Sequence, residues 1–117
     1  MGKLLKFFSH LIEKHTVIIS SYTKNECKEV FEKKFPAKIE QLEIFFDGIN
    51  FEEYTTPNKI DEKKYPKIRD IKDLPVLVSA ILSDSDILLT GDKDFEDIKI
   101  DKPLIFTPEK YFELIGN

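Results

Sequence analysis

The chain of 117 residues has one cysteine, no tryptophan, one methionine and four glycines. Cys27 alone cannot close an intramolecular disulfide, so no cystine framework supports the fold. With His10 and His15 five residues apart and Cys27 distant, no zinc-ligand spacing exists. Long hydrophobic runs are also lacking. The apolar N-terminal stretch is broken by Lys6, Ser9 and His10, which makes it a poor signal peptide and too short to span a membrane. Arginine is nearly absent, with Arg69 the single instance. Formal net charge is -4 and the pI is near 5.2, which argues against strong non-specific nucleic-acid binding. It leaves open a nucleic acid that reaches an acidic pocket through bound cations and local lysines. Together these absences predict a soluble, cytoplasmic protein with no membrane partner.

What is present is a globular composition. Hydrophobic residues make up 41% and charged residues 34%, with ten phenylalanines, enough for the core of one small domain over residues 1–117. Leu4, Leu5, Phe8, Leu11 and Ile12 recur at helical spacing, so residues 3–14 read as an amphipathic helix. Residues 16–20 are rich in β-branched side chains and read as a buried strand. Thr23 and Glu26 have capping-box spacing, and Cys27, Val30 and Phe31 continue one helical face. Pro36 suits the first turn of another helix, with Ile39, Leu42, Phe45 and Phe46 inward and Asp47-Gly48 as its stop. Residues 49–54 suit a short strand.

Residues 55–70 form the longest loop candidate, with two prolines and many charges. Asp73 can cap the next helix, with Pro75 in its first turn and Leu77, Ala80 and Ile81 inward. Residues 87–90 and 103–106 read as strands. Thr107-Pro108-Glu109 opens a last helix that Gly116 would end. Short apolar strands alternating with helices predict an α/β fold, three-layer α/β/α around a central, mainly parallel sheet.

Carboxylates mark the ends of these strands and the starts of these helices. Glu26 follows the first strand, Asp73 opens the helix before the third, and Asp92 and Asp94 follow the third in Thr90-Gly91-Asp92-Lys93-Asp94-Phe95. Parallel strands would bring them to one sheet edge, where α/β folds collect ligands. Crowded carboxylates repel unless a cation lies between them, and hard oxygen donors suit Mg²⁺ or Mn²⁺.

On these residues the chain resembles the PIN-domain family, in particular the bacterial toxin components of toxin–antitoxin pairs. Asp73 to Ala80 looks like the family's third acidic position with its helix. Residues 87–95 look like the fourth, with Thr90 two residues earlier. Residues 103–109 look like the closing strand and helix, and Val17 to Glu26 like the strand and helix start that supply the second acid. The resemblance implies a PIN-like metal-dependent endoribonuclease that cleaves single-stranded RNA with Mg²⁺ or Mn²⁺. Asp73 and Asp92 would be metal ligands, Glu26 an outer ligand, Asp94 an auxiliary acid, and Thr90 would orient a carboxylate or water. An antitoxin or a second copy of the chain is the implied protein partner. The family begins with a central strand ending in Asp, and nothing before Thr16 matches it. The expectation is therefore an N-terminally truncated PIN-like domain without its first catalytic Asp. A catalytically incomplete module that binds a partner or RNA, or self-associates, is the alternative.

Plainer roles compete with each assignment. Glu26 can serve the capping box, Asp73 can cap its helix, and Asp92 and Asp94 can be turn residues after Gly91. Lys93, the lysines between 58 and 67, and Arg69 can be solvated charges or guides for RNA. Tyr54, Tyr65 and Tyr111 can stack on bases or pack in the core.

Overall fold

The computed structural model describes residues 2–114, with side chains from residue 6 to residue 114. The helix end expected at Gly116 and the inward placement of Leu4 and Leu5 lie outside the described residues. The chain divides into two compact units, Met1–Thr55 and Thr56–Asn117. Each has its own parallel strand pair and its own core.

In the first unit, α1 (Gly2–Lys14) precedes β1 (Ile18–Ser20). Ser20 is both the last strand residue and the N-cap of α2 (Ser21–Lys34). Its Oγ accepts the Thr23 backbone N–H at 3.1 Å and donates to Thr23 Oγ1 at 3.0 Å. This corrects the expected capping box at Thr23. The helix starts earlier, because the serine after the strand already satisfies a free N–H, and Glu26 falls past the first turn. Pro36 opens a 3₁₀ turn, Pro36–Lys38, and α3 begins at Ile39 and runs to Gly48. Leu42, Phe45 and Phe46 of α3 are the buried centre of the unit, with Phe8, Ile19, Cys27, Phe31, Ile49 and Phe51 packed on them. The Phe8 and Phe45 rings meet edge to face, with centroids 5.3 Å apart, a favoured aromatic geometry. β2 (Glu52–Tyr54) pairs parallel to β1, with Ile18 opposite Glu52 and Ser20 opposite Tyr54. The Glu52 N–H also donates to the Val17 carbonyl at 2.9 Å, so pairing reaches one residue beyond the strand.

In the second unit, residues 56–70 are mostly irregular, with a 3₁₀ turn at Glu62–Lys64. This long loop is pinned, because Ile60, Tyr65 and Ile68 pack on the core formed by Leu74, Leu77, Val78 and Phe95. A 3₁₀ turn, Ile71–Asp73, leads directly into α4 (Leu74–Leu82). Ser79, a buried polar side chain of α4, is satisfied by the Thr56 hydroxyl at 2.8 Å. β3 (Ile87–Leu89) then pairs parallel to β4 (Leu104–Phe106), with Ile87 opposite Leu104 and Leu89 opposite Phe106. Thr90 falls just outside β3, yet its N–H still donates to the Phe106 carbonyl at 3.0 Å. The crossover between these strands has no α-helix and carries a 3₁₀ turn, Lys93–Phe95. Thr107 accepts the Lys110 N–H at 3.1 Å and starts α5 (Pro108–Leu114), as the Thr-Pro-Glu pattern requires.

The α/β class and the parallel pairing agree with the sequence. The single central sheet does not appear among the described residues, where two two-stranded sheets stand instead. Each three-residue strand pairs with the strand next along the chain, the connection with the shortest loop to close.

Candidate metal centre

The acidic residues of the second unit are placed by the residues that follow them. Leu74 and Phe95 are buried in one core cluster, and each is preceded by an aspartate, Asp73 and Asp94. Burying the two apolar neighbours therefore brings the two carboxyls together at the rim of that core. Asp70 joins them from the start of the 3₁₀ turn Ile71–Asp73. It is the N-cap residue just before that turn, three residues from Asp73. One carboxylate oxygen from each of Asp70, Asp73 and Asp94 lies within 4.8 Å of the others.

A relay of short hydrogen bonds sets the loop. Thr90 is tied to β4 through its N–H, and its Oγ1 accepts the Asp92 N–H at 3.1 Å. Asp92 Oδ1 in turn accepts the Asp94 N–H at 2.9 Å and caps the 3₁₀ turn. Thr90 thus orients the acidic loop through the backbone of Asp92. Asp92 has the turn role that its type predicts, and it also lies close enough to act electrostatically on Asp73.

Asp73 stands at the N-cap position of α4, but its side chain makes no capping bond. Asp70 does the local capping instead, by accepting the Lys72 N–H at 3.0 Å. The Asp73 carboxyl is left to face other acids. It is raised from its ordinary value to about 6, first by loss of water around it, then by a hydrogen bond with the Asp94 carboxyl and by the charges of Asp92, Asp70 and Asp94. A cation placed among these oxygens would offset the charge repulsion that adds to that shift. The donor set is all carboxylate, the set that suits Mg²⁺ or Mn²⁺.

Of the expected residues, Asp73 and Asp94 meet here, Asp92 acts on Asp73 through its charge, and Thr90 accepts the Asp92 N–H. Glu26 belongs to the first unit, where it is exposed on α2. The Cys27 thiol is pushed up by its own burial and, to a lesser extent, by the Glu26 charge. Asp70 was not singled out in the sequence. The signal that could have found it is its spacing of three from Asp73 just before an apolar helix. Arg69 also approaches the group, with Nε 4.0 Å from Asp94 Oδ1 and Nη2 3.0 Å from Asp97 Oδ2. Lys93 is exposed on the turn. Tyr111 is 1% exposed and is a core residue, unable to stack on a base. Asp84 and Asp86 bind Lys102 at 3.0 and 3.5 Å, so they act as surface ion-pair partners. No helix among the described residues is long and apolar enough to cross a membrane.

Comparisons with protein-family models, with curated proteins and with solved structures each returned no match.

Proposed function

We propose that the chain is a PIN-like, divalent-metal-dependent endoribonuclease, acting on single-stranded RNA as the toxin component of a toxin–antitoxin pair. The observation that carries this reading is the grouping of Asp70, Asp73 and Asp94, with Asp73 released from the capping role that its position offers. A helix cap spends its oxygen on a backbone N–H. Asp73 instead keeps its oxygens among other carboxylates, an arrangement that costs stability unless a cation is bound.

In this reading Asp73 and Asp94 hold the ion, with Asp70 beside them. Asp92 adds negative potential and fixes the loop, and Thr90 fixes Asp92. A bound Mg²⁺ or Mn²⁺ supplies Lewis acidity and a water acidic enough to attack a phosphodiester. A second reading is a PIN-like module that binds a protein partner, RNA or a second copy without cutting. It is favoured by the use of Asp92 Oδ1 and Thr90 Oγ1 for the loop's own N–H groups.

The test is cleavage of a mixed single-stranded RNA pool by the purified chain with Mn²⁺, Mg²⁺ or chelator, beside Asp73→Asn and Asp92→Asn. Metal-dependent cutting that is lost in both variants supports the nuclease. Metal binding without cutting, in a folded protein, selects the second reading.

A further inference from the structure

We infer that Arg69 is a built-in counter-cation of the carboxylate group, tethered by Asp97, that competes with a divalent ion for Asp94. The inference rests on the metal reading above and adds a control to it. Arg69 is the sole arginine of the chain and immediately precedes Asp70. Its planar guanidinium can address two carboxylates at once. Nη2 is bonded to Asp97 at 3.0 Å, and Nε stands 4.0 Å from Asp94 Oδ1. The first contact is a hydrogen bond, and the second is close enough only for Coulombic attraction. Asp97 lies three residues beyond Asp94, so one side chain joins the segment that carries Asp70 and Asp73 to the segment that carries Asp92 and Asp94.

The plain alternative is a surface ion pair without consequence. The Arg69 side chain is 54% exposed and that of Asp97 86%, and pairs of that kind add little stability. Little stability does not mean little effect on a bound ion. A positive charge held within a few ångströms of Asp94 lies well inside the Debye length of about 8 Å in physiological salt, and it repels any cation that uses the same carboxylate. Arg69 thus relieves the repulsion among the acids when no ion is bound, and it weakens ion binding when one arrives. Asp97 serves as the anchor that prevents the guanidinium from drifting into solvent.

The test is Mn²⁺ affinity by calorimetry on the wild-type chain, Arg69→Gln and Arg69→Lys, each first shown by circular dichroism to be folded. Arg69→Gln removes the charge and should bind Mn²⁺ on the order of five-fold more tightly. Arg69→Lys keeps the charge and should stay near wild type. Equal or weaker binding by Arg69→Gln overturns the inference and leaves the metal reading standing. Tightening of the same size in Arg69→Lys also overturns it, because charge would then not be the cause. If neither the wild type nor Arg69→Gln binds millimolar Mn²⁺, the metal reading itself fails and takes this inference with it.

Discussion

Asp73 and Asp94 bring carboxylate oxygens within 4.8 Å of each other, and Leu74 and Phe95, the next residue after each, are buried in the same core. Two carboxylates this close repel unless one holds a proton or a cation lies between them. Hydrophobic burial, which is worth far more than the repulsion of two partly exposed acids, decides where these acids sit. The pair is thus a consequence of core packing that keeps carboxyls crowded.

The first prediction concerns pH. An aspartate in the unfolded chain titrates near ~3.9, whereas Asp73 in the fold titrates at about 6. Between these values the folded chain binds more protons than the unfolded one. The contribution of Asp73 to stability is therefore fully present below about pH 4, is lost as pH rises through about 6, and stays lost above that. Because the group is partly exposed, the loss is about 1 kcal/mol or less. Thermal unfolding of wild type and Asp73→Asn across this range checks it. The difference should open with rising pH, with the variant more stable at pH 7. Equal slopes for the two proteins would contradict the crowding.

Capping in the first unit separates Ser20 from Glu26. Ser20→Ala removes the oxygen that accepts the Thr23 N–H and should cost about 1 kcal/mol. Glu26→Gln removes no cap and should change stability by less than about 0.5 kcal/mol. Urea unfolding of both variants decides between them, and the reverse order would restore the capping box at Thr23.

Thr90 should matter through the loop backbone. Thr90→Val keeps the shape and removes the acceptor for the Asp92 N–H, at a cost of about 0.5–1.5 kcal/mol. Amide hydrogen exchange at Asp92 and Asp94 should quicken by more than at β4. Unchanged exchange would show that Thr90 has no such role.

Leu77 is fully buried beneath the acidic rim. Leu77→Ala should lose about 2–5 kcal/mol and loosen the Asp73–Asp94 pair that the core positions. Denaturant unfolding measures the first effect. A downward shift in the Asp73 titration midpoint, followed by carboxyl NMR, measures the second.

Much of this architecture was legible in the sequence, and the misses have physical causes. Periodicity located α1 and α3 because their inward residues follow the helical repeat, and Thr107-Pro108 fixed the start of α5 to the residue. β3 and β4 stood out as apolar runs. Strand partners were not legible, since nothing in Ile18–Ser20 or Ile87–Leu89 names the neighbour it will bond. The cap of α2 was misread because Ser20 and Thr23 are equally good capping residues by type. That Asp73 and Asp94 come together was legible from their places at a helix start and after an apolar strand. Asp70 and Arg69 were not, since their approach depends on a 3₁₀ turn and on a side-chain reach that no residue pattern announces.

The central claim is that Asp70, Asp73 and Asp94 form a divalent-ion site. Its most direct test is thermal unfolding of the wild type and Asp73→Asn at neutral pH, with and without millimolar Mn²⁺. An ion that binds only the folded state at a hundred times its dissociation constant adds about 2.7 kcal/mol, a rise of several degrees for a chain of this size. The account predicts a clear rise in the melting temperature of the wild type, and little or none in Asp73→Asn. A wild type whose melting temperature ignores Mn²⁺, or a variant that gains as much as the wild type, would contradict it.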